Sequence, residues 1–222
     1  MKQLITNFLF IFAVGGAILF SNNMFEFLKK NSQSNEEKFW KWFVANEKML
    51  FSFHENQDQV FDMLTSELSK VNKNLTFEFG PIREQKREFI ISADGIRDAF
   101  PFVERLAAQA PPLEKWKITK FRPRRPLSDT VIDFKGKTFS PDDIFFKLHN
   151  KGGKVGIRLF IKRYNEDKDV FDEIVFIFLD AALGEYDVET KVASIDFFDT
   201  DTIDFANAKP MTELAENFDA MQ

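Results

Sequence analysis

The chain predicts an α+β fold: a largely antiparallel sheet built from two hairpin-helix-strand units, with helices on one face and two further helices ahead of them. Three observations lead there. Segments of period two and segments repeating near 3.6 residues follow one another in the same order twice, over 75–125 and 141–198. Of the 222 residues, 44% are apolar and 29% charged, the balance of a packed chain rather than a disordered one. Phenylalanine is used 29 times against two tyrosines, and its rings bury large areas without needing a hydrogen-bond partner.

Residues 1–23 form an apolar N-terminal segment. Within it, 4–20 is a run of 17 residues with no charge and only Thr6 and Asn7 as polar interruptions. As a helix it would span roughly 25 Å, short against a hydrocarbon core of about 30 Å. Three readings stay open: an uncleaved anchor, a signal peptide cut after the small residues Gly15 and Ala17, or a misassigned start, with Met24 opening the protein. The anchor ranks ahead of the signal, whose cleavage would leave a very apolar new terminus. Lys29, Lys30, Lys38 and Lys41 follow the run and only Lys2 precedes it, so an anchor would keep the folded part in the cytoplasm, tethered to the inner face of the membrane.

Residues 24–35 read as a linker, and the α+β domain occupies 36–222. Ser34 and Glu37 have the spacing of a capping box, after which Phe39, Trp42, Phe43 and Leu50 mark a helix over 35–51. A second helix spans 57–73, with Val60, Phe61, Leu64, Leu68 and Val71 on one face and Asn74 as its stop.

Strand alternation over 75–79 and 88–93, either side of Gly80 and Pro81, predicts a hairpin that turns at those two residues. Asp94 is read as the cap of a helix carrying Ile96, Ala99, Phe100, Val103 and Leu106 on one face, with Pro101 in its first turn. Pro111 and Pro112 end it, and 116–122 returns as a strand. The second unit repeats the order: strands at 144–148 and 155–161 around Gly152 and Gly153, a helix over 170–183 closed by Gly184, and a strand at 192–197.

The pieces FWKWFVANE (39–47), FEFGP (77–81), REFIISADGI (87–96), FPFVERL (100–106), APPLEKW with FRPRR (110–125) and ALGEYD (182–187) carry a resemblance. Over about 36–222 the chain resembles a group of bacterial proteins known as an uncharacterised domain-of-unknown-function family. The resemblance implies a small cytosolic-type α+β domain and brings no activity or catalytic residue with it.

Charge is strongly partitioned. Residues 1–114 hold 13 basic and 15 acidic side chains, 115–163 hold 14 and 4, and 164–222 hold 3 and 16, giving −2, +10 and −13 within a net −5. The basic block contains the one candidate interaction surface: Lys115, Trp116, Lys117, Lys120, Arg122, Arg124 and Arg125, with Phe121 interleaved. Cations alternating with rings suit the phosphates and bases of a single strand. The acidic net charge and the lack of an RNA-recognition signature weigh against nucleic acid, and pairing of the basic block with the acidic one is the stronger reading.

No other chemistry is written in a motif. With no cysteine there is no disulfide or thiolate site. His54 and His149 have no motif-spaced nucleophile or second histidine. Asn165, Asp167 and Asp169 match the start of a calcium loop, but Val170 stands where glycine is needed and Phe176 where glutamate is needed. Asp199, Asp201 and Asp204 lack both as well, and Asp142 with Asp143 reads as a turn. Ser92, Ala93, Asp94 and Gly95 could present backbone amides to an anion, though capping by Asp94 is preferred. The expectation is a non-catalytic binding or protein-interaction module without cofactor or metal, its partner an unidentified protein or small ligand. The alternatives are an enzyme whose carboxylates assemble only in the fold, or a weak polyanion binder.

Overall fold

Ser34 starts the first helix as its spacing predicts: its hydroxyl accepts from the Glu37 N–H at 3.1 Å. The computed structural model describes residues 33–127, 130–134, 136–166 and 168–222. The apolar run at 4–20 therefore lies outside the described residues, as does Asp167. Among the described residues no helix is long and apolar enough to cross a membrane.

The fold is α+β, with largely antiparallel sheets. Helices α1 (Asn35–Ala45) and α2 (Glu47–Phe51) divide the expected 35–51 helix at Asn46, and α3 (Gln57–Val71) follows. The first sheet has the order β1-β2-β3, from β1 (Thr76–Arg83), β2 (Lys86–Ser92) and β3 (Trp116–Lys120). β1 and β2 are antiparallel, whereas β3 returns parallel to β2 through α4 (Phe100–Ala108), in which Pro101 sits in the first turn. The hairpin turns at Glu84 and Gln85, both at positive φ, and not at Gly80 and Pro81. Those two residues fall where the register shifts between Phe79 and Ile82, so the edge strand absorbs the missing N–H of Pro81 as an irregularity and continues.

A short hairpin, β4 (Ile132–Phe134) and β5 (Lys137–Phe139), leads to the second unit. Here β6 (Ile144–Lys151) and β7 (Lys154–Ile161) are antiparallel around Gly152 and Gly153, and β8 (Val192–Asp199) lies parallel to β7. The connection runs through α5 (Lys168–Leu183) and α6 (Glu185–Lys191), and the sheet order is β8-β7-β6-β9, with β9 (Lys209–Pro210) at the edge and α7 (Leu214–Asp219) closing the chain. Both units thus carry an antiparallel hairpin and a parallel third strand, but on two separate sheets rather than one.

Each sheet has its own core. In the first, Phe39, Phe43, Leu64 and Leu68 pack on Phe89, Ile91 and Trp116. The Phe89 ring, fully buried, lies 5.1 Å from Phe43 and 5.7 Å from Phe79, and truncating such a ring costs about 3–5 kcal/mol. In the second, Ile157, Leu159 and Ile161 meet Val175, Phe178 and Leu179 of α5 and Phe218 of α7. Helices occupy one face of each sheet. On the other face of the second, Phe160 is buried under Phe198 and Phe205.

Candidate functional site

The strand period decides what becomes of the basic strip. Trp116 and Ile118 point to the helix-covered face of β3, while Lys117 and Thr119 point to the opposite one. Trp116 is 3% exposed, against Phe43, Phe51 and Phe79, so it forms no surface with its cationic neighbours. Phe121, at φ 62, ends the strand and is buried against Phe100 and Tyr186. Lys117 pairs with Glu88 at 2.8 Å. Lys115 and Lys120 are exposed and carry no ion pair among the described residues.

Beyond Phe121 the chain crosses the C-terminal end of α5, where helix carbonyls lack partners of their own. The Arg125 N–H donates to the Ala181 carbonyl at 2.7 Å, and the Arg124 Nε–H donates to that of Leu183 at 2.9 Å. Guanidinium charge at that end also matches the helix dipole. Arg124 goes on to pair with Asp187 at 2.9 Å and Asp219 at 2.7 Å, and Arg125 pairs with Glu78 at 2.8 Å. Arg122 meets Glu78 at 2.7 Å, Asp94 at 2.9 Å and Asp180 at 3.5 Å. Burial opposes its charge, but hydrogen bonds to Asp94 and Glu78 outweigh that and hold its pKa above the ordinary guanidinium value. Arg122, Arg124 and Arg125 are thus matched by internal carboxylates, of which Asp180, Asp187 and Asp219 come from the acidic third of the chain.

Between the units lies a carboxylate that sequence reasoning passed over. Glu185 is fully buried. One of its oxygens accepts from the Ala93 N–H at 3.0 Å and the Gly95 N–H at 3.2 Å, and the other accepts from the Arg122 N–H at 3.0 Å. The amides of the 92–95 segment do face an anion, and that anion is the protein's own. Asp94 is not a helix cap: it sits at φ 52, largely exposed and paired with Arg122, and the short 3-10 turn that follows has no side-chain cap. The signal for Glu185 lay in ALGEYD, where Gly184, at φ 80, lets the chain leave α5 and begin α6 at once.

Above this junction opens a cleft of about 720 Å³. One wall comes from the first unit, with Glu78, Asp94 and Ile96; the other is the outer face of α5, with Phe176, Ile177 and Asp180; Arg122 and Arg125 lie between. Ile96, Phe176 and Ile177 are 42%, 43% and 51% exposed, an apolar rim beside charged groups. Burial pushes the Asp180 carboxyl up to about 6 against the opposing pull of Arg122, with Glu185 and Glu189 adding repulsion.

The remaining candidates are scattered. His54 and His149 are both exposed, and neither lines the cleft. Asp199 accepts from the Asn165 N–H, and Asp204 pairs with Arg158 at 2.8 Å. Asp142 and Asp143 lie in a 3-10 turn capped by Ser140, as a turn reading expects. No family model, curated protein or solved structure matches the chain.

Proposed function

We propose that the protein is a non-catalytic binding module whose ligand or partner occupies the cleft between the two units. One observation carries this reading: the cleft sets the exposed apolar side chains of Ile96, Phe176 and Ile177 beside the carboxylates of Asp94 and Asp180. Sites of that size commonly combine an apolar wall with a few polar groups that fix orientation. The paired state of Arg122, Arg124 and Arg125 counts against a polyanion as the ligand. The test is amide-shift mapping with a fragment set of anionic, cationic and neutral amphiphiles. Saturable shifts at 94–97, 122–125 and 176–181 support the reading; saturable binding only elsewhere overturns it.

A second reading is favoured by Asp180 alone, whose raised pKa suits a general acid or base near neutrality. Turnover of hydrolase substrates that disappears in Asp180→Asn would replace the module with an enzyme. Tethering to the inner membrane face through 4–20, and kinship with the bacterial group resembled over 36–222, complete the proposal. Membrane fractionation of the native protein, with its N-terminal residue sequenced, tests the tether.

A further inference from the structure

We propose that the cleft takes a small organic cation with an apolar body, its ammonium received by Asp180 and Asp94 and its body laid against Phe176, Ile177 and Ile96. This rests on the binding-module reading above and names the ligand's chemistry.

Charge complementarity argues for it first. The lining brings the carboxylates of Glu78, Asp94, Asp180 and Glu189, the last held by Arg97 at 3.2 Å, against two guanidinium groups, Arg122 and Arg125. Neither guanidinium is uncommitted. Arg122 spans Glu78, Asp94 and Asp180, and Arg125 holds the second oxygen of Glu78. A ligand carboxylate would enter a net acidic cleft and compete with these internal pairs.

Hydrogen-bond capacity argues for it second. An ionised carboxylate offers about four acceptor sites. Among the described residues the Asp180 side chain has one hydrogen-bonding or ionic partner, Arg122 at 3.5 Å, the outer limit of a hydrogen bond, while it keeps 18% of its surface open. Asp94, 67% exposed, has a single ion-pair partner among the described residues. Two carboxylates with spare acceptors therefore stand beside an apolar wall, where an ammonium could bridge them as its body displaces water. Water exclusion by that body would strengthen the charge interaction in turn.

The experiment titrates 2-phenylethylammonium, phenylacetate and 2-phenylethanol into the full chain at pH 8, followed by amide shifts. The ammonium is expected to saturate with shifts at 94–97 and 176–181, at least tenfold more tightly than either analogue. Asp180→Asn is expected to weaken it about tenfold, the loss of one charge-assisted hydrogen bond. Phe176→Ala is expected to weaken all three probes while preserving the preference for the cation. Equal or tighter binding of phenylacetate or phenylethanol at the cleft overturns the cation assignment and leaves the module standing. Silence from these probes overturns the assignment; silence from the fragment set as well overturns both.

Discussion

Glu185 and Arg122 hold each other through the backbone in both directions. The Glu185 N–H donates to the Arg122 carbonyl at 3.0 Å, and the Arg122 N–H donates to the Glu185 carboxylate, also at 3.0 Å. With the other carboxylate oxygen on Ala93 and Gly95, one side chain joins the end of β2, the segment after β3 and the start of α6. The two units meet through a buried polar contact whose strength depends on every donor being matched.

Replacing Glu185 with alanine leaves three backbone amides without their acceptor, at about 1–3 kcal/mol for each one that stays dry. We expect Glu185→Ala to lose about 3–4 kcal/mol in urea unfolding. Glu185→Gln, which retains one acceptor oxygen, should lose about half as much. A loss under 1 kcal/mol for the alanine variant would mean that water replaces the carboxylate.

Arg122→Ala leaves Asp94 and Asp180 without their ion-pair partner and Glu78 with Arg125 alone, and is expected to cost about 2–4 kcal/mol. Arg122→Lys should recover less than half of that, because one ammonium cannot reach the three carboxylates that the planar fork spans. Thermal unfolding of both variants decides it; equal stability of lysine variant and parent contradicts the fork geometry.

Asp180 sets a pH dependence whose sign follows from its raised pKa. The folded state binds this proton more tightly than the unfolded chain does. Its contribution is therefore complete below the ordinary carboxyl value of 3.8 and is lost as pH rises through about 6. Arg122, Glu185 and Glu189 are the charged groups acting on it. Asp180→Asn cannot ionise, so we expect it to be about 1 kcal/mol more stable than the parent at pH 7.5, with the margin gone by pH 4. A variant less stable than the parent at pH 7.5 would place the weight on its contact with Arg122.

The parent chain is expected to elute from heparin, and to release single-stranded DNA, at or below about 0.15 M salt, since Arg122, Arg124 and Arg125 face internal carboxylates. Alanine at Arg122, Arg124 and Arg125 together should leave that behaviour unchanged and lower the melting temperature instead. Retention at higher salt that the triple variant abolishes would restore the polyanion reading.

Much of this architecture is legible in the chain. Alternation marks β1, β2, β6, β7 and β8 to within a few residues, helical spacing marks α3 and α5, and Ser34 caps as its spacing says. The repeat of hairpin, helix and strand is visible because each element's period is a local property of its residues. Even the burial of Trp116 follows from strand alternation, which separates it from Lys117. The short α6, the β4–β5 hairpin and α7 carry too few turns or pairs to show a period.

By itself, then, the sequence determined the types and order of the main elements in both units and the division of charge into a basic block and an acidic one. The tertiary structure alone decided that the two units build separate sheets, that Arg122 meets Glu78, Asp94 and Asp180, and that the amides after β2 close on Glu185. These partners lie 28 to 92 residues apart. Composition can say that opposite charges are present in number, but a carboxylate's partner is chosen by which elements packing brings within about 3 Å, and no local pattern encodes that distance.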